Sequence, residues 1–241
     1  MDVREGRIVC RTGVAMTERL LRGAIGLVAV GVVLIVAWPL VLYACGLSVI
    51  PAGRLAARPA PVPDAAYAAL WASLGGSGEP ALDRTGPYDL AMVVLFSPPG
   101  DVLAGHGAAQ RLSALAGRAL LAGYEPRSGM FRWHIPFAAA SIWVGRNWTA
   151  REAAAAVLRT MYFGHGLSGL DAAAMGYFGV PVEQLADEQI AVLVATTEAP
   201  NRLDPWCHAE RNRAAVAQLS PGLPDTPPPG LLPAPAGACE K

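Results

Sequence analysis

The alternation of apolar and polar positions divides the chain into blocks of distinct character. Residues 1–22 are polar, with Arg4, Arg7, Arg11, Arg19 and Arg22 set against Asp2, Glu5 and Glu18. Gly23 to Gly53 then runs 31 residues without a charged side chain. A bilayer core needs only ~20 apolar residues to be crossed, and a secretory signal's apolar region spans ~7–15. The pattern therefore predicts an uncleaved transmembrane helix over 23–50. Trp38 and Tyr43 lie near one end, as an interfacial aromatic belt would. Five arginines precede the run and Arg54 and Arg58 follow it, a bias that predicts a cytoplasmic N-terminus and an external remainder. A lipoprotein reading of Leu42-Tyr43-Ala44-Cys45 ranks second, because Tyr43 suits that motif poorly. Met16 is an alternative start to Met1.

Residues 51–87 combine a Pro- and Ala-rich linker with a short helix predicted over Asp64–Leu74, Asp64 as its N-cap and Gly75-Gly76 as its stop. Tyr88 to Phe96 is apolar and ends at Pro98-Pro99-Gly100. Gln110 to Ala122 places Leu112, Leu115, Ala116, Ala119 and Leu120 on one helical stripe, with Gly123 as a C-cap. Phe131 to Val144 is apolar and aromatic. Thr149 with Glu152 three residues on forms a capping-box pattern for the next helix. Glu183 to Thr197 reads as an amphipathic helix and Pro205 to Leu219 as a polar one. The last stretch, 220–241, holds seven prolines between Pro221 and Lys241 and little to bury, which predicts a disordered tail.

Composition changes this picture only slightly. The formal net charge is zero, so nothing favours a nucleic-acid partner. The basic residues are 18 arginines and one lysine, Lys241, which with the abundant Ala, Gly and Pro points to a GC-rich coding sequence. Four cysteines are too few and too scattered for a disulfide framework or zinc cluster. Cys207 and Cys239 either pair in an oxidising compartment or remain free thiols. His106, His134, His165 and His208 show no HxxxH-type spacing, so no metal site is expected.

Arg151 to Pro205 carries the most specific signal. Leu158, Tyr162-Phe163-Gly164, Gly166, Gly169, Ala172 to Ala174 and Tyr177-Phe178-Gly179 are followed by Leu185, Gln189, Ala191, Leu193, Ala195, Ala199-Pro200, Arg202 and Asp204-Pro205. This spacing resembles the C-terminal half of the glycosyltransferase family 51 domain, the peptidoglycan transglycosylase module of penicillin-binding proteins. The resemblance implies a mainly α-helical, lysozyme-like lobe over 88–219, with Tyr162, Phe163, Gly164, Gly169, Ala173, Tyr177, Phe178, Gly179, Pro200, Arg202 and Asp204 as its scaffold. It implies no cofactor, a bacterial inner-membrane location, and peptidoglycan glycan, its lipid-linked precursor or envelope-assembly proteins as partners.

The family's chemistry uses two glutamates, one as base on the acceptor hydroxyl and one assisting departure of the lipid pyrophosphate. The first stands in a motif like EDxxFxxHxG. Anchored on Gly107, that motif falls here on 98–107, with Pro98 in place of the base, Asp101 three positions off and His106 one beyond the family histidine. A Gly-Gly-Ser-Thr-x-Thr-Gln-Gln loop has no counterpart. Counting back from Tyr162 places Trp133-His134 on a basic Arg-Lys pair, Phe137 on the second glutamate and Gly145 on a later one. Ala155 and Arg159 stand where the family has Glu and Asn. The resemblance is thus to a truncated, degenerate member.

Two function classes follow. One is a catalytically inactive, membrane-anchored binding or scaffold protein of envelope assembly. The other is an active glycosyltransferase or lytic enzyme that uses substitutes, Glu125 or Glu152. Against those substitutes, Glu125 reads more simply as a solvated loop residue, Glu152 as a helix cap, and Glu198 likewise as a helix-end surface charge. Trp133, Trp143 and Trp148 could form a sugar-stacking cluster, but a core or membrane-interface role is the simpler reading.

Overall fold

The computed structural model describes residues 5–89, 91, 107–125, 130–223 and 228–239, with no strand among them. The chain divides into two compact units, 1–42 and 43–241. The first is helical from Glu5 and belongs to α1 (Glu5–Leu47), which contains Pro39. From Leu21 to Leu47 this helix is long and apolar enough to cross a membrane by length and composition. Its apolar side chains stand exposed, Leu27 at 77% and Ile35 at 68%.

The second unit is an all-helical body. It takes in the last residues of α1 and then α2 (Ala52–Ala56), α3 (Asp64–Ser73), α4 (Ala108–Leu120), α5 (Met130–Asn147), α6 (Ala150–Leu158), α7 (Leu170–Phe178), a 3-10 turn (Val182–Gln184), α8 (Asp187–Glu198) and α9 (Ala209–Leu219). The N-cap of α3 is Pro63, one residue before the expected Asp64, which instead lies in the first turn facing the helix dipole. Its C-terminus closes as a Schellman motif. Gly75 N–H donates to Ala72 O (2.8 Å) and Gly76 N–H to Trp71 O (2.9 Å), and Gly75 at φ +77° takes the left-handed position.

α4 buries Leu112, Ser113, Ala116, Gly117 and Leu120, the predicted stripe shifted toward its small residues. The shift has a steric cause. A Cβ on Gly117 would sit 2.7 Å from Ser141 N and 2.8 Å from Ser141 Cα, so α4 and α5 cross backbone to backbone there. α6 begins at the expected capping box. The Thr149 side chain accepts from Glu152 N–H (3.2 Å) and Glu152 Oε2 accepts from Thr149 N–H (2.7 Å).

α8 departs from the sequence reading. Ile190 through Thr196 are buried without interruption, so the helix is central rather than amphipathic. It is enclosed by α3, α7 and α9, and a helix apolar on all sides is a core helix. Among its neighbours, Asn212 of α9 is 1% exposed. Its amide donates to Leu203 O (2.7 Å), Thr196 Oγ1 (3.1 Å) and Val192 O (3.2 Å). The expectation of a disordered tail also fails over 228–239. There Leu232 N–H donates to Tyr177 O (2.8 Å), Trp206 Nε1–H to Leu232 O (2.8 Å) and Gln189 Nε2–H to Pro229 O (2.8 Å). Cys239 is disulfide-bonded to Cys207, 32 residues away, with Cα atoms 5.4 Å apart. Proline-rich chain has few side chains to bury, but here its backbone groups and one cystine hold it to α7 and the loop before α9.

Candidate functional site

The two Tyr-Phe-Gly turns differ in construction. Tyr177-Phe178-Gly179 ends α7 as expected, with Gly179 in the left-handed region (φ +70°) and its N–H donating to Met175 O. Tyr162-Phe163-Gly164 instead lies in a loop after α6, paired to itself through an isolated Tyr162–Ser168 bridge. Gly164, His165 and Gly166 follow at φ +90°, +51° and +76°. Both phenylalanines are buried, Phe163 at 0% and Phe178 at 4% exposure. The Tyr177 hydroxyl joins the turns by donating to Phe163 O across 2.8 Å. Burial first, then the Asp204 carboxylate and Tyr162, hold the Tyr177 pKa well above the ordinary tyrosine range, so the hydroxyl stays protonated and donating.

Beside this bond lies a polar cluster. Asp204, 4% exposed, follows α8 and accepts through Oδ1 from Trp206 N–H (2.7 Å) and Cys207 N–H (3.4 Å). Its Oδ2 is hydrogen-bonded to His165 Nε2. The His165 ring packs against Trp206 (5.0 Å between centroids) and Tyr177 (6.4 Å), and Tyr177 lies 4.4 Å from Trp206. Among the scaffold residues Ala173 is fully buried, Tyr162 is 49% exposed and Arg202 is at the surface. Pro200 borders Gly164, where an added Cβ would lie 3.8 Å from its own, while a Cβ on Gly169 would stand 2.7 Å from Arg159 O.

The positions that the resemblance assigns to chemistry lie elsewhere. Phe137 stacks on Trp133 (6.2 Å, 12° between planes), which stacks in turn on Tyr124 (6.5 Å, 18°). Trp143 and Trp148 form a separate edge-to-face pair at 6.0 Å, so the three tryptophans make two aromatic groups rather than one cluster. At Gly145 the Asp83 carbonyl fills the space a side chain would need. Ala155 is 1% exposed. Arg159 reaches Asp171 (2.6 Å), Ala60 O (3.2 Å) and Pro61 O (3.2 Å), clamping the linker onto α7. Glu125 is exposed. Glu152 is taken up by its cap and by Arg58, whose Nε is 3.2 Å from Oε1. Pro98, Asp101 and His106 lie outside the described residues.

A transglycosylase family model matches residues 133–220. This span contains the 151–205 stretch on which the sequence resemblance rests, and within it lie α6 to α9 and both Tyr-Phe-Gly turns. Residues 133–220 are a transglycosylase-family segment. Over 80 residues the chain is 35% identical to penicillin-binding protein 1A of Mycobacterium tuberculosis, covering 33% of this chain and 10% of that protein. Penicillin-binding protein 1A of Mycolicibacterium smegmatis is 41% identical over 59 residues (24% of this chain, 8% of the relative). Penicillin-binding protein 4 of Bacillus subtilis is 31% identical over 80 (33% and 13%). The chain thus spans roughly a tenth of the length of these relatives. The transglycosylase resemblance over 151–205 was legible in sequence. The polar cluster was not, since spacing among the histidines alone could not reveal that His165 meets Asp204, 39 residues on. The paired signal was Asp204 and Cys207 three residues apart, with a histidine in the Tyr-Phe-Gly loop.

Proposed function

We propose that this is a membrane-anchored transglycosylase-family protein of peptidoglycan and envelope assembly that binds glycan or an assembly partner without polymerising lipid-linked disaccharide. The observation that carries the reading is Phe137. At the position the resemblance gives to the second glutamate, the side chain is one ring of a Tyr124–Trp133–Phe137 stack. No proton can be accepted there, and loss of a general base or acid forfeits ~10²–10⁴ in rate. Two further positions support it: Gly145 is crossed by the Asp83 carbonyl and Ala155 is sealed in the core. The active alternative receives less support, because Glu152 is committed to the α6 cap and Glu125 stands exposed. The anchor is α1, whose Leu21–Leu47 portion has the necessary length and apolarity, with the arginine asymmetry setting the N-terminus in the cytoplasm.

The test is to purify the full chain in detergent, supply lipid-linked disaccharide precursor and resolve any glycan chains. No polymer is expected, while the protein co-sediments with purified peptidoglycan. Polymer that forms with the parent and disappears in Glu125→Gln or Glu152→Gln would overturn the reading and name the replacement acid. A reporter fused after Lys241 is expected to be active outside the cytoplasm, and cytoplasmic activity alone would overturn the topology.

A further inference from the structure

His165, Asp204 and Cys207 each offer one ligand atom, and the three atoms lie within 4.8 Å of one another. In the oxidised chain the Cys207 sulfur is spent in its bond to Cys239, and a disulfide sulfur is a poor metal donor. A thiolate is the metal-binding form of cysteine. We propose that opening the Cys207–Cys239 disulfide converts this cluster into a site for a thiophilic divalent cation of the zinc class, held by His165 Nε2, an Asp204 carboxylate oxygen and Cys207 Sγ. This inference is independent of whether the transglycosylase segment is catalytic.

The donor set and its setting both suit zinc. Zinc takes nitrogen, sulfur and carboxylate ligands at bond lengths of about 2.0–2.3 Å in tetrahedral geometry, which spaces ligand atoms about 3.3–3.8 Å apart. The three atoms already lie within 4.8 Å of one another, and the cation would take the place of the proton shared by His165 Nε2 and Asp204 Oδ2. The residues are held for it. Asp204 is fixed by the backbone N–H groups of Trp206 and Cys207. His165 is the one non-glycine residue at positive φ among the described residues, a conformation that a loop tolerates only when its surroundings enforce it. The rings of Tyr177 and Trp206 wall the cluster, and a dry wall strengthens charge–ligand attraction. The His165 side chain keeps 23% exposure against 6% for Asp204, which leaves an entry path from solvent.

The chemistry balances with a dithiol reductant. One reductant thiolate attacks the cystine, its second thiol resolves the mixed disulfide, and the products are two protein thiols and one reductant disulfide. Binding the cation then releases the Cys207 thiol proton to solvent, while His165 coordinates through Nε2 with its ring proton on Nδ1. Metal on Cys207 removes the thiolate needed to re-form the cystine, so the cation traps the open form, in which the 228–239 strap has lost its covalent tie.

The experiment uses the full chain in detergent with Cys10 and Cys45 changed to serine, and Co²⁺ as a spectroscopic substitute for Zn²⁺. In that background Cys239→Ser frees Cys207 without reductant. It is expected to give a thiolate-to-cobalt charge-transfer band with one equivalent of Co²⁺, where the oxidised parent gives none. Adding His165→Ala or Asp204→Asn is expected to weaken Co²⁺ binding at least tenfold. The second route treats the parent with a trialkylphosphine, which with water yields two thiols and the phosphine oxide; the same band is expected, and Zn²⁺ is expected to slow reoxidation at least tenfold. Absence of the band by both routes overturns the proposal. So does a band unchanged by both His165→Ala and Asp204→Asn, which would mean that Cys207 binds metal outside this cluster.

Discussion

Replacing Tyr177 by phenylalanine isolates the bond that joins the two Tyr-Phe-Gly turns. The residue is fully buried, and the change deletes only the hydroxyl that donates to Phe163 O across 2.8 Å. A typical net hydrogen bond contributes about 0.5–1.5 kcal/mol, and a buried carbonyl stripped of its donor costs about 1–3 kcal/mol. The slightly more apolar ring offsets part of this, so a loss of about 1–2 kcal/mol is expected at pH 7. For a body of this size each kcal/mol moves Tm by about 2–4 °C, giving a shift of about 2–8 °C. Tryptophan fluorescence during thermal unfolding is a suitable readout, because Trp206 lies 4.4 Å from the Tyr177 ring. The pH dependence is a second check. The folded pKa is raised above the ordinary 10.0, so unfolded tyrosine ionises first. Stability from this group is complete below pH 10 and declines as pH rises toward the folded value. Tyr177→Phe has no such group, so its alkaline limb should be flatter and the gap to the parent should close above pH 10. A mutant within about 0.3 kcal/mol of the parent at pH 7, or a gap that widens with alkali, would refute the reasoning.

Two other substitutions test packing and capping. Gly117→Ala gains about 1 kcal/mol of helix propensity but places a Cβ 2.7 Å from Ser141 N, and overpacking of about 1–3 kcal/mol or more should win; a urea midpoint above the parent's would show that the α4–α5 crossing yields. Thr149→Ala removes the side-chain acceptor of the α6 capping box and should cost about 1 kcal/mol, with Thr149→Ser near neutral; equal losses in both would mean that the hydroxyl is not what matters.

The legible parts of this molecule were those whose causes lie within one turn of chain. Thr149 and Glu152 announce the α6 cap because both partners of the box are three residues apart. Gly75 and Gly179 mark helix ends because the left-handed position follows directly from the local backbone. The long apolar helix Leu21–Leu47 follows from an unbroken uncharged run. What could not be read depends on partners distant in sequence. The burial of α8 on all sides is conferred by α3, α7 and α9, and no periodicity within Asp187–Glu198 carries that information. Asn212 looks like any polar residue of a surface helix until Leu203 O and Val192 O are placed around it. The tail reads as unstructured because proline-rich chain has little to bury, yet Leu232 N–H finds the Tyr177 carbonyl and Cys239 finds Cys207. The His165–Asp204 pair belongs to the same class, since loop and carboxylate meet only after α7 and α8 have packed.

The four consecutive alanines of α6 lead to a different kind of expectation. Ala153, Ala154, Ala155 and Ala156 are exposed by 0%, 1%, 1% and 9%, in a helix packed against α3 and α4. A run of this sort resembles compositional drift in a GC-rich coding sequence, with each codon free to wander. Burial argues otherwise: at positions sealed this far into a close-packed interior, larger residues overpack the core. In a saturation library selected for folded protein, these positions should tolerate Gly and Ser before anything else. The chemically plainest segment of the molecule would then rank among its most constrained.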